Sequence, residues 1–180
     1  MLLIGATPPG RNTEQHDVFF VIGENLKSLI PDILNFWPEA KDRIHIDAFR
    51  EVTLVDGYKI SVVERGTTQT TAENRLFFIN LGGYKRGLFD EPHFKIISVH
   101  PTMGAAVQAA KKTEFFLTVH FPGATSHVDD KFAVDVDDVY EVDDILPAYQ
   151  KEKYSIVIEK ADTGAIEDEL NLGYFKLANL

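Results

Sequence analysis

Two carboxylate–imidazole pairs carry most of the chemistry this chain can offer. Glu14 and His16 stand two residues apart, and Glu91 and His93 repeat that spacing 77 residues later. A glycine precedes each pair by the same interval, Gly10 in the first and Gly87 in the second, so both read G-x-x-x-E-x-H. Residues two apart at the start of a strand project to one face. A carboxylate there can orient an imidazole, raise its basicity or join it on a metal ion. His45 and Asp47 follow in the first copy with the same two-residue spacing, and Asp135 follows in the second. His120 and His127 lie on a segment that only the second copy has. If a Glu–His pair neighbours a His–Asp pair on an adjacent strand, three or four nitrogen and oxygen donors gather, a set suited to zinc, manganese or iron. The competing reading is structural: a Glu–His contact after a glycine turn holds the loop and satisfies backbone groups. Recurrence in both copies favours the structural reading, since a catalytic set is often kept in one copy only.

Other chemistries find less support. Gly82 to Gly87 contains glycines and two bases but lacks the G-x-x-x-x-G-K-[ST] phosphate loop. Ser61, Ser98 and Ser126 sit in no G-x-S-x-G elbow. There are no cysteines, which excludes disulfides, thiol catalysis and cysteine-ligated metals. The formal charge is −10, and a run from Asp129 to Asp144 holds much of it. That balance argues against nucleic acid, whose phosphates are bound by displacing counterions with Lys and Arg. The first residues have neither a basic start nor an apolar stretch long enough for a signal peptide, and no apolar run reaches membrane-spanning length. A cytoplasmic protein with no membrane partner is expected.

The elements that would position these residues follow one order twice. In the first copy Met1–Ile4 and Val18–Ile22 read as strands around the break at Thr7 to Gly10. Leu26, Leu29, Ile30, Ile33, Leu34 and Trp37 form a helical stripe, with Asn25 as cap, Pro38 as stop and Pro31 in the first turn or at a kink. Arg43–Phe49 alternates, with Ile44, Ile46 and Ala48 on one face and His45 and Asp47 on the other. Asp56-Gly57 signals a tight turn into a last strand, Tyr58–Glu64. In the second copy Arg75–Leu81 and Phe94–Val99 are strands, Pro101–Lys112 is a helix capped by Thr102, and Val134-Asp135 takes the place of Ile46-Asp47. Val139, Val142-Asp143 and Tyr154–Glu159 continue the correspondence. Extra residues fall around Phe115–Lys131 and Ile145–Glu152, where loops accept insertions.

The expected fold class is therefore α+β, as two tandem ββαββ units. Each packs one helix on a mostly antiparallel or mixed sheet, with a β-grasp roll as one arrangement. The first unit spans residues 1–64, a polar linker 65–74, the second unit 75–160 and a tail 161–180. Leu170–Leu177 in the tail can add an edge strand.

The motifs also carry a resemblance. Leu2 to Phe20 (L-x-x-x-x-x-x-x-G-x-x-x-E-x-H-D-V-x-F), F-W-P at Phe36 to Pro38, H-I-D-A-F at His45 to Phe49 and V-D-G-Y at Val55 to Tyr58 resemble a bacterial family of tandem repeats, domain of unknown function 1543. The segment Leu81 to His93 resembles the same family, as does N-L-G-Y-F-K-L at Asn171 to Leu177. The resemblance implies no activity, substrate or cofactor. Three readings follow. The first is a binding or structural module for a small-molecule or protein partner. The alternative is a small metal-dependent hydrolase or isomerase with Glu14, His16, Glu91 and His93 as ligands and His45 and Asp47 beside them. The third is a homodimer paired through the edge strand.

Overall fold

The computed structural model describes residues 1–40, 43–67, 73–85, 87–113 and 134–180, with Val134 and Asp135 described by their backbone. The protein is α+β, with three antiparallel sheets and few helices. It divides into two compact units, residues 1–69 with 145–180, and residues 70–144.

In the first unit, β1 (Leu2–Ala6) lies between β2 (Gln15–Phe19) and β3 (His45–Phe49). Its alternate residues Leu2, Ile4 and Ala6 are buried with Leu29, Ile33, Ala40, Ile44 and Ile46, so one face of the sheet is the core. The helix on that face begins as one 3-10 turn, Leu26–Leu29, and continues as α1, Ile30–Phe36. Asn25 caps it: its side-chain oxygen accepts from Ser28 N at 3.0 Å, while Asn25 N donates to Ser28 Oγ at 3.4 Å. Pro31 falls in the first turn of α1, where its missing N–H leaves no bond unmade. The face opposite the core carries Gly5 and its strand neighbours.

Two further strands, β4 (Leu54–Val55) and β5 (Tyr58–Glu64), form a hairpin around Asp56 and Gly57. Both turn residues have positive φ, 52° and 75°, the conformation that a twist-matched two-residue hairpin demands. β6 (Arg75–Gly83) opens the second unit, between β7 (His93–His100) and β8 (Val134–Glu141). Phe77, Ile79 and Leu81 pack on Ala106 and Ala110 of α2, Met103–Ala110. The two alanines stand four apart on one helical face and let the helix lie close to the sheet. Thr102 caps α2 by accepting from Ala105 N at 3.2 Å.

The chain then passes through α3 (Val142–Ile145) and α4 (Ala148–Lys153) to β9 (Tyr154–Lys160), which pairs with β5 along its whole length. The last strand, β10 (Asn171–Lys176), is the edge of the first sheet, beside β3. Asp168 ties the tail down before it, accepting from Arg50 Nε at 3.0 Å, from Thr53 N at 3.0 Å, from Leu54 N at 3.1 Å and from Thr53 Oγ1 at 2.5 Å. Gln150 closes another gap: its amide accepts from Ile22 N at 2.8 Å and donates to Ile22 O at 2.7 Å, serving as a strand partner past the end of β2.

The architecture differs from the expected pair of four-stranded ββαββ units. Each site-bearing sheet takes two strands, a helix and one more strand from its own part of the chain. Tyr154–Lys160, expected in the second unit, pairs instead with Tyr58–Glu64 of the first. Val142-Asp143, matched to a strand and turn, starts a helix. β5 and β9 are both seven residues long, each with three Val or Ile, and they pair over all seven positions. The expected edge strand in the tail forms. Phe115–Lys131, His120 and His127 lie outside the described residues.

Candidate metal site

The first cluster is assembled over Gly5. In the antiparallel ladders Gly5 stands opposite His16 on β2 and opposite His45 on β3, so both imidazoles share its face. The β1–β3 register shifts between Leu3 and Ile4, which leaves Asp47 as the extra residue of a β-bulge. A bulge re-aims a side chain that a regular strand would send elsewhere, and here it brings Asp47 onto the two histidines. Gly5 makes the room: a Cβ there would run into Asp47 Oδ2 and His45 Nε2.

Four side chains converge. His45 Nε2 lies 3.0 Å from Glu14 Oε1 and 3.3 Å from Asp47 Oδ1. His16 Nε2 lies 3.2 Å from Asp47 Oδ2 and 3.7 Å from Glu14 Oε2. His45 is 4% exposed, whereas Glu14 and His16 are 43% and 40% exposed, so the cluster is closed beneath and open above. On β10, Gly173 and Tyr174 form a second irregularity against β3, between the pairs Leu172–Ala48 and Phe175–Ile46. The Tyr174 ring tilts over His45, with centroids 4.2 Å apart.

The cluster is close but not hydrogen-bonded. His45 Nδ1, His45 Nε2 and Asp47 Oδ2 are buried with no hydrogen-bond partner. The carboxylate oxygens near His45 Nε2 are at the right distance but out of line with any N–H it could carry. An unpaired buried polar group costs about 1–3 kcal/mol, and two of these atoms, His45 Nε2 and Asp47 Oδ2, belong to side chains in contact. Donors around a single ion behave in this way. With ligand bonds of about 2.0–2.2 Å, neighbouring donors stand about 3.0–3.5 Å apart, each aimed at the ion and none at another.

The second unit holds Glu91, His93 and Asp137, which each offer a donor atom within 4.8 Å of the others. His93 Nε2 is 3.1 Å from Asp137 Oδ2. The Glu91 carboxylate beside Tyr84 raises the phenol above its ordinary range.

Each Glu-x-His pair thus meets an aspartate of its own unit. The conditional expectation that a Glu–His pair neighbours a His–Asp pair describes Glu14, His16, His45 and Asp47. In the second unit the aspartate is Asp137, the bulged residue of β8, where the sequence had pointed to Asp135. Asp135 stands opposite Gly82, the register position that His45 occupies opposite Gly5. The bulge shifts the correspondence by two residues, and spacing alone carries no sign of it. Asp137, Gly5, Gly82 and Tyr174 were thus not legible as site residues. An aspartate two residues beyond the expected one, in Val134 to Asp138 with its alternating acids, is the signal that was there.

Residues 11–62 match the family Domain of Unknown Function (DUF1543). That span contains all four residues of the first cluster and none of the second. Among solved structures, the chain is similar to protein Il1583 from Idiomarina loihiensis, at 24% identity and a TM-score of 0.62, over 98% of this chain and 94% of that one. A likeness at that identity concerns the fold. No curated protein matches. Among the described residues no helix is long and apolar enough to cross a membrane.

Proposed function

We propose that the protein is a metal-binding module, and that Glu14, His16, His45 and Asp47 hold one divalent transition-metal ion. The buried His45 imidazole carries this reading, with Nε2 unpaired and between two carboxylates. Two imidazoles with two carboxylates suit zinc, iron or manganese better than calcium or magnesium, which favour oxygen alone. Asp47 bridges the donor set, since its two oxygens face different histidines. Tyr174 packs on His45 and restrains the ring. The half-exposed side, at Glu14 and His16, is where water or a small-molecule ligand completes the shell.

The shared geometry at Gly5 and Gly82 supports descent of the two units from one copied gene. Each glycine pairs with a histidine on one side, and a bulged aspartate follows one step along on the other.

Thermal unfolding of protein purified without an affinity tag tests the proposal. A ligand held only by the folded state stabilises it by about 2.7 kcal/mol at a hundredfold excess over Kd. Added Zn²⁺ or Mn²⁺ is expected to raise Tm and EDTA to lower it again. His16→Gln/His45→Gln should reduce the response sharply, and an equal response in that variant contradicts the proposal.

A further inference from the structure

The cluster in the second unit is built on the same backbone device as the first but with different donors. Gly82 stands opposite His93, and Asp137 is the extra residue where the β6–β8 register shifts. A Cβ at Gly82 would run into the Asp137 carboxylate, so this glycine too opens the hollow that the donors fill. Glu91 reaches the same point, with a donor atom within 4.8 Å of those of His93 and Asp137.

The chemistry diverges at one position. The strand residue opposite Gly5 on β3 is a histidine, and the one opposite Gly82 on β8 is an aspartate. The first cluster therefore offers two imidazoles with two carboxylates, and the second one imidazole with two carboxylates. At matching positions the exposure is similar, 35% for His93 against 40% for His16 and 29% for Asp137 against 24% for Asp47, but the second cluster has no deeply buried imidazole like His45, which is 4% exposed. Fewer nitrogen donors, and no buried imidazole, favour a cation that accepts oxygen ligands and keeps several waters.

We infer that the second unit carries its own divalent-cation site, at Glu91, His93 and Asp137, which binds more weakly than the first and discriminates less against Mn²⁺ relative to Zn²⁺. The two sites share an origin in the fold and differ in selectivity. The second stands on its own donors and does not require the first to be filled.

Titration of the full chain with Mn²⁺, followed by the electron paramagnetic resonance signal of the free aqua ion, tests this directly. The wild type is expected to take up two equivalents in two stages. Glu91→Gln/Asp137→Asn should lose the weaker stage, and His16→Gln/His45→Gln the tighter one. Because Asp137 and His93 are surface residues, Glu91→Gln/Asp137→Asn keeps the fold, and circular dichroism checks this for every variant, His16→Gln/His45→Gln included; His93→Gln supplies an independent third variant. If the weaker stage is undiminished in both Glu91→Gln/Asp137→Asn and His93→Gln, the inference is overturned. So it is if the wild type binds a single equivalent that both changes spare, and then the first site stands alone. A single equivalent that disappears in Glu91→Gln/Asp137→Asn but persists in His16→Gln/His45→Gln keeps the second site and removes the first. Zn²⁺ competition should displace Mn²⁺ from the tighter stage at the lower Zn²⁺ concentration, and the reverse order contradicts the assigned selectivity.

Discussion

His45 Nε2 stands 3.0 Å from Glu14 Oε1 and makes no hydrogen bond to it. In a cluster built for stability, an imidazole so deeply buried would point its N–H along that line. Here the two groups stand within contact distance but out of line, with Asp47 on the other flank. The structural reading, in which the Glu–His contact clamps a loop, needs an aligned bond at this place.

His45→Gln keeps the size and polarity of the side chain but supplies no imidazole nitrogen. Loss of outer partners typically lowers metal affinity 10–100-fold. Loss of a direct ligand should cost more, so a decrease above about 100-fold is expected by calorimetry with Zn²⁺. Glu14→Gln, on the exposed side, should weaken binding by a smaller factor.

Gly5→Ala places a methyl group where Asp47 and His45 meet. Overpacking of this kind costs about 1–3 kcal/mol, visible as a lower urea midpoint. The displaced donors should also lose the ion. If Gly5→Ala retains full metal affinity, the hollow over this glycine is not the site.

Tyr174 acts on the ion only through His45. Tyr174→Phe keeps the ring and should preserve affinity. Tyr174→Ala frees the imidazole and is expected to weaken Zn²⁺ binding about tenfold, within the range of outer partners. Both variants should have nearly the same Tm without metal, because Tyr174 is largely exposed.

Asp168 gives the fold an acid dependence separate from the site. Burial alone would push its carboxyl upward, but the donors from Thr53, Leu54 and Arg50 outweigh it and hold the group below its ordinary value. A depressed carboxyl stabilises the folded state fully above its unfolded value of about 3.9, and the contribution is lost as pH falls through the folded value. The urea midpoint of the wild type should therefore drop below about pH 4. Asp168→Asn should be less stable at neutral pH by about 1.5–3 kcal/mol, the scale of bonds to a charged group. Its further loss on acidification should be shallower. Parallel acid profiles for the two proteins would contradict this role.

Local signals in the sequence located much of this fold. The stripe from Leu26 to Trp37 and the cap at Asn25 mark a helix, although its first turn is 3-10. The Asp56-Gly57 turn and Tyr58–Glu64 fall where pattern and turn chemistry put them. The partner of Tyr58–Glu64 was not legible, because strand pairing across about a hundred residues leaves no local trace. The site divides in the same way. Glu14, His16, His45 and Asp47 were readable from residue type and two-residue spacing. The bulge that exchanges Asp135 for Asp137 was not, because it is a property of register between strands. The alternation read from Ile44 to Asp47 places Ile44 and Ile46 in the core and His45 and Asp47 together over Gly5, but it carries no sign of how deeply His45 is buried on that face.

The central claim rests on an ion seated among Glu14, His16, His45 and Asp47. Elemental analysis of tag-free protein, dialysed after incubation with Zn²⁺, measures it most directly. At least one tightly held equivalent per chain is expected, falling by one equivalent in His16→Gln/His45→Gln. Metal well below one equivalent in the wild type, or an unchanged amount in the double variant, would contradict the account.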